Sequence, residues 1–118
     1  MDTYLINGGN RLFGEILLQG SKNASLPIIA ASILIDGMSI INRCPMISDT
    51  FAMKEMLLAL GCDVSCDNNT FKIDSRTCNK DEIPEELMKE IRSSIVLMGP
   101  MLARHGRVKL THPGGCDI

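Results

Sequence analysis

Met53, Met56, Leu57 and Leu60 recur at i, i+3, i+4 and i+7, the clearest helical stripe in the chain. Ser48-Asp49-Thr50 offers side-chain caps before it and Gly61 a stop after it, so the spacing predicts a helix from Ser48 to Leu60. The period then changes to two. Cys62, Val64 and Cys66 alternate with Asp63, Ser65 and Asp67, and Thr70 to Asp74 alternates beyond Asp67-Asn68-Asn69, which is the signature of a hairpin. Nearer the start, Tyr4-Leu5-Ile6 and Arg11 to Leu18 read as two strands around Asn7-Gly8-Gly9-Asn10, ended by Gly20 and Ser21. Ile28 to Leu34 is apolar on nearly every side. This predicts a buried helix with Pro27 in its first turn, where a missing N–H does no harm.

Met38 to Asn42 reads as a short strand after the Asp36-Gly37 turn, and Ser75 to Asp81 as a loop. Pro84 to Ile91 places proline and acids at the start of a short helix. A second apolar segment, Ile95 to Ala103, is interrupted by Gly99-Pro100 and stops near Gly106. Arg107 to Thr111 is a last strand, leading into Pro113-Gly114-Gly115-Cys116. This alternation of helices and strands indicates an α/β (α+β) layered fold rather than a bundle or a sandwich.

With 118 residues, 45% of them apolar, the chain has material for one core. A net charge of −2 and 3% aromatic residues provide neither a phosphate-tracking surface nor a base-stacking platform, so no nucleic acid partner is expected. The longest apolar stretch, Leu26 to Ile35, is broken by Pro27 and Ser32, and the opening residues lack a leader pattern. A cytoplasmic protein with no membrane segment is expected.

Candidate chemistry is sparse. The five cysteines are odd in number, with no C-x-x-C pair and no histidine at zinc spacing, so neither a disulfide framework nor a metal site is indicated. Cys44, Cys62, Cys66 and Cys78 read as small hydrophobes. Cys116 differs, because a glycine-rich loop could carry its thiol onto and off a substrate. Lys22 and Asn23 stand beside a helix N-terminus, where free N–H groups and the dipole favour an anion. Arg92, before Ser93-Ser94, is a further phosphate contact candidate. The competing readings are a solvated lysine beside a capping asparagine, a salt-bridged arginine and a cysteine in a polar turn. His105 and His112 lie near turns and receive no role. Neither a P-loop nor a G-x-G-x-x-G motif is present.

Taken together, Gly20-Ser21-Lys22-Asn23-Ala24, Arg92-Ser93-Ser94, Gly99-Pro100-Met101-Leu102-Ala103-Arg104 and Pro113-Gly114-Gly115-Cys116 resemble the amino-terminal part of the UDP-N-acetylglucosamine 1-carboxyvinyltransferase family. These are enolpyruvyl transferases of peptidoglycan synthesis. The resemblance implies an inverse barrel of repeated β-α-β-α-β-β units in two domains. Residues 1–21 would be a hairpin belonging to the domain completed by the carboxyl half, and residues 22–118 the first part of the cysteine-loop domain. The Pro-Gly-Gly-Cys loop argues against the sister transferase of aromatic amino-acid synthesis.

By the same resemblance, the reaction moves an enolpyruvyl group from phosphoenolpyruvate to the 3-hydroxyl of UDP-N-acetylglucosamine and releases phosphate, with no cofactor and no metal. Lys22 and Asn23 would contact phosphoenolpyruvate, Lys22 also serving catalysis. Arg92 would hold UDP-N-acetylglucosamine or phosphate, and Cys116 would donate a proton, form a covalent adduct and be the target of fosfomycin. The family continues well past Ile118, so the chain by itself is expected to be inactive. The alternative is a non-catalytic fragment that binds a nucleotide sugar or another anion. Sheet edges and helix faces lacking partners would also favour self-association.

Overall fold

The structure is a computed structural model that describes residues 3–114. Helix α1 (Lys22–Ala31) runs into a 3-10 turn at Ser32–Leu34, and strand β1 (Met38–Ile41) leads to α2 (Ser48–Ala59). Strands β2 (Asp63–Asp67) and β3 (Thr70–Asp74) follow, then α3 (Glu85–Glu90), a 3-10 helix at Arg92–Leu97, and α4 (Met98–His105). The strands form one antiparallel sheet in the order β1-β3-β2.

The period-two reading holds in detail. Asp67 pairs with Thr70, so Asn68-Asn69 is a two-residue turn, and both asparagines take the positive φ (46° and 61°) that a type I′ hairpin demands. Register places Ile41, Phe71 and Cys66 side by side on the inner face, with Val64 beside Ile73. Met53, Met56, Leu57 and Leu60 are fully buried, as their stripe predicts, and α2 packs against α1, α3 and β2. Gly61 ends α2 at φ 96°, and a Cβ there would come within 2.8 Å of the Thr77 carbonyl and of Asn79 Oδ1.

Five expectations need correction. Helix α1 begins at Lys22, and Pro27 is its sixth residue, one turn deeper than expected. Pro27 cannot donate to Asn23, but both residues are exposed, so water can satisfy the freed carbonyl. The helix is also one-sided: Leu26, Ile29, Ala30 and Ile33 are buried, while Ile28 and Leu34 are about half exposed. The hairpin expected within residues 1–21 is not formed among the described residues, where 3–20 carry no strand, and Leu5, Phe13 and Leu17 are nearly fully exposed. Two isolated strands bury too little to hold themselves together. Lastly, Arg107 to Thr111 makes only a single parallel bridge, Lys109 to Glu82, and the break in the second apolar segment falls at the 3-10 helix, before Gly99-Pro100.

Arg104, in the last turn of α4, closes the core. Its guanidinium donates to the Ile33 carbonyl and to the Ser75 carbonyl, each at 2.8 Å, joining the end of the first helical segment to the end of β3. Only 18% of that side chain is exposed. Arg104→Ala is expected to lower the unfolding free energy in urea by about 2–4 kcal/mol, because two charge-assisted bonds vanish and two carbonyls lose their partners. The exposed Arg76→Ala control should leave the midpoint unchanged.

Candidate functional site

The entry to α1 is built for a close turn. Gly20 donates its N–H to the Arg43 carbonyl at 3.1 Å, and a Cβ at Gly20 would collide with that same carbonyl. Ser21 caps the helix by accepting from the Ala24 N–H at 3.4 Å. The N–H groups of Lys22 and Asn23 then point out of the first turn without intrahelical acceptors. That turn holds no acidic residue. A lysine here opposes the helix dipole, so the position is electrostatically unfavourable for folding and favourable for an anion.

Lys22 Nζ is held 3.0 Å from Asp49 Oδ2, with 49% of the lysine side chain exposed. Asp49 belongs to the first turn of α2, where its charge suits that helix's dipole. A half-exposed pair of this kind contributes little, about 0–1 kcal/mol, so an incoming dianion can draw the lysine away. A recess of about 330 Å³ opens beside this helix end, lined by Gly20, Ser21, Ala24, Ile28, Asn42 and Arg43 among others.

Arg92 is exposed at the start of the 3-10 helix, and among the described residues it forms no ion pair. This 3-10 helix packs against both α1 and α3. Its Ser94 is fully buried and donates to the Met88 carbonyl at 3.1 Å. The same carbonyl accepts the Gly114 N–H at 2.8 Å. A Cβ on Gly114 would overlap the Lys89 backbone, so this glycine is required for the chain to lie against the end of α3. The approach to the glycine-cysteine loop is therefore tied to the element that bears Arg92, and that element lies against the helix that starts at Lys22. Cys116 itself lies outside the described residues.

The other cysteines are more varied than small hydrophobes. Burial pushes the Cys44 thiol up, partly offset by a hydrogen bond with Ser25. Cys78 lies with its Sγ 3.7 Å from His105 Nε2, a contact that sequence reading missed because the residues are far apart in the chain. Its partner Cys62 lowers the Cys78 thiol from 9.0 to about 6, with burial opposing and with His105 and Arg104 assisting. Cys62 is pushed far up, first by that interaction with Cys78 and then by burial. Between about 6 and 9.0 the native state holds Cys78 as thiolate while the unfolded chain binds the proton. Stability from this group therefore rises with pH across that window.

A recess of about 570 Å³ is lined by Asp81, Glu82 and Glu85 against the one lysine Lys80, a net acidic lining poorly suited to an anion. Among the described residues no group of three or more His, Cys, Asp or Glu could hold a metal ion, and no helix is long and apolar enough to cross a membrane.

The sequence profile described as EPSP synthase (3-phosphoshikimate 1-carboxyvinyltransferase) matches residues 6–118. The chain is 46% identical over 118 residues to UDP-N-acetylglucosamine 1-carboxyvinyltransferase 2 of Caldanaerobacter subterraneus subsp. tengcongensis, covering 100% of this chain and 28% of that relative. It is 43% identical, with the same shares, to the UDP-N-acetylglucosamine 1-carboxyvinyltransferase of Trichlorobacter lovleyi. Among solved structures, the enolpyruvyl transferase NikO from Streptomyces tendae matches with a TM-score of 0.77 and 30% identity, covering 84% of this chain and 23% of that one. The chain thus spans little more than a quarter of the length of these curated relatives.

The geometry generates two expectations. Lys22→Ala should change the unfolding free energy by about 0.5 kcal/mol or less, measured in urea, because the Asp49 pair is exposed. Gly114→Ala should detach the loop base, which would appear as a ~10-fold or greater rise in amide exchange across residues 110–114 with α2 unaffected.

Proposed function

The chain belongs to the EPSP synthase (3-phosphoshikimate 1-carboxyvinyltransferase) family, and from that premise we propose that it forms part of a UDP-N-acetylglucosamine enolpyruvyl transferase. The observation that carries this reading is an identity of 39–46% across the whole chain to relatives bearing that name. The substrates are phosphoenolpyruvate and UDP-N-acetylglucosamine, the product feeds peptidoglycan synthesis, and the setting is the cytoplasm. Residues 1–21 belong to the domain completed by the carboxyl half of such a protein. Their exposed apolar side chains support that assignment, since they find no partner among residues 22–114.

In the reaction the sugar 3-hydroxyl adds to the central carbon of phosphoenolpyruvate and gives up its proton. The methylene carbon gains a proton, producing a tetrahedral ketal that then loses a proton and phosphate. Cys116 is the acid for the methylene carbon, because a thiol titrating near ~8.5 can both carry a proton and become a thiolate. As a nucleophile it also forms a covalent adduct with the enolpyruvyl group. Lys22 and Asn23 bind phosphoenolpyruvate, and the absence of any acidic residue from the first turn of α1 supports this. Arg92 binds the nucleotide sugar or its phosphates, in keeping with the preference of a planar guanidinium for phosphate oxygens. These fixed positive groups stabilise the charge that develops during addition and elimination.

The test is intact mass and peptide mapping after incubation with fosfomycin, a cysteine-directed epoxide, with and without UDP-N-acetylglucosamine. A single adduct on Cys116, promoted by the nucleotide sugar and lost in Lys22→Ala or Arg92→Ala, is expected. Equal labelling of all five cysteines, or none at Cys116, would sink the catalytic reading for this chain. Saturable nucleotide-sugar binding without an adduct would favour the non-catalytic binding alternative.

A further inference from the structure

The turn after α2 and the loop after β3 are clasped around Gly61. Thr77 Oγ1 donates to the Gly61 carbonyl at 2.6 Å, and the N–H groups of Asn79 and Lys80 both donate to the Leu60 carbonyl at 3.2 Å. The Thr77 hydroxyl and the Asn79 backbone therefore tie residues 77 and 79 to residues 61 and 60, which brings Cys78, between them, close to Cys62, and the two thiols act on each other. Both side chains are nearly fully buried in the same core, at 5% and 4% exposure. His105 Nε2 lies 3.7 Å from Cys78 Sγ, and the neighbouring Arg104 adds positive charge. The charged and titratable groups acting on the pair are thus His105 and Arg104 from α4 and Asp74 from β3.

We propose that Cys62 and Cys78 form a peroxide-oxidisable dithiol, Cys78 acting as the attacking thiolate and Cys62 as the resolving thiol. It makes no use of Cys116 and does not depend on the reaction proposed above. The Cys78 thiolate, having given its proton to solvent, attacks one oxygen of hydrogen peroxide, the O–O bond breaks, and the departing hydroxide takes a proton back from solvent and leaves as water. Cys78 is then a sulfenic acid. Cys62 Sγ attacks that sulfur, the S–O bond breaks, a second water leaves with the Cys62 proton, and the S–S bond forms. Two thiols and one hydrogen peroxide give one disulfide and two waters, and a dithiol reductant reverses the change.

The arrangement divides the two roles. The Cys62 thiol first, and then His105 and Arg104, stabilise a thiolate on Cys78, whereas Cys62 keeps its proton until it attacks. Thr77 and Asn79, on either side of Cys78, are exposed, so peroxide gains access by local opening of a short surface loop rather than by unfolding of the core.

The full chain is treated with hydrogen peroxide near neutral pH, alkylated and digested with trypsin. Cleavage after Lys54 and Lys72 releases Cys62 together with Cys66, so a Cys66→Ser, Cys116→Ser background makes the assignment unambiguous. The expected product is a peptide with Cys62 linked to Cys78, restored to free thiols by dithiothreitol. In Cys62→Ser the sulfenic acid should be trapped by dimedone on Cys78, while in Cys78→Ser no sulfenic acid should form on Cys62. The rate should level off above about 6 instead of climbing through the ordinary thiol range at 9.0. His105→Gln should move that levelling-off up by about one pH unit, as loss of one stabilising neighbour raises a thiol pKa by about a unit, so the rate falls ~10-fold well below pH 6 and only about two-fold near neutral pH. Recovery of Cys62 and Cys78 as free thiols under conditions that oxidise Cys116 in the native sequence would overturn the proposal, and that result requires no variant to fold. Sulfenic acid on Cys62 in Cys78→Ser would overturn the assignment of roles.

Discussion

The Met88 carbonyl at the end of α3 accepts both the Gly114 N–H and the Ser94 hydroxyl, at 2.8 and 3.1 Å. A carbonyl has two lone pairs, and here each is given to a different part of the candidate site. One bond fixes the segment leading to the glycine-cysteine loop, and the other fixes the 3-10 helix that begins with Arg92. Ser94 is completely buried, so its hydroxyl must find an acceptor, and Gly114 must lack a Cβ to reach the helix end. Packing of the 3-10 helix on α1 then fixes its relation to the helix that carries Lys22.

A second constraint operates at the start of α1. Folding alone favours an acid in the first turn of a helix, yet the residues there are Lys22, Asn23 and Ala24. The unfavourable charge is moderated by Asp49 on a different helix, through a pair exposed enough to rearrange. Such a local conflict between propensity and structure is what motivates the proposed binding role of Lys22 and Asn23. The same logic applies to the 3-10 geometry of Arg92–Leu97, a long run for a tight helix, which turns Arg92 and Ser94 to opposite fates, one exposed and one buried.

The apolar surface shows how far this part of the fold is self-sufficient. One face of the sheet and the inner sides of α1 and α2 share a continuous core, while Met38 and Ile40 on the other face of β1 and Ile28 and Leu34 on α1 remain about half exposed. Tyr4 to Leu18 is more exposed still. Exposed apolar surface of this extent is suited to being covered by further polypeptide.

Local regularities were legible in the sequence. The period-3.6 stripe of α2, the period-two hairpin around Asn68-Asn69, and the stops at Gly61 and Gly106 depend on interactions among near neighbours, so the order of residues determines them. Motif order and spacing also pointed to the family, and Lys22, Asn23 and Arg92 stood out because helix ends can be read from caps and charges. Long-range closures were not legible. No local pattern reveals that Arg104 bonds to residues 33 and 75, that Asp49 pairs with Lys22, that His105 touches Cys78, or that Gly114 rests on α3. The strand signals at 4–6, 11–18 and 107–111 failed for the same reason. A strand is stabilised by its partner across the sheet, and only the tertiary structure decides whether that partner is there.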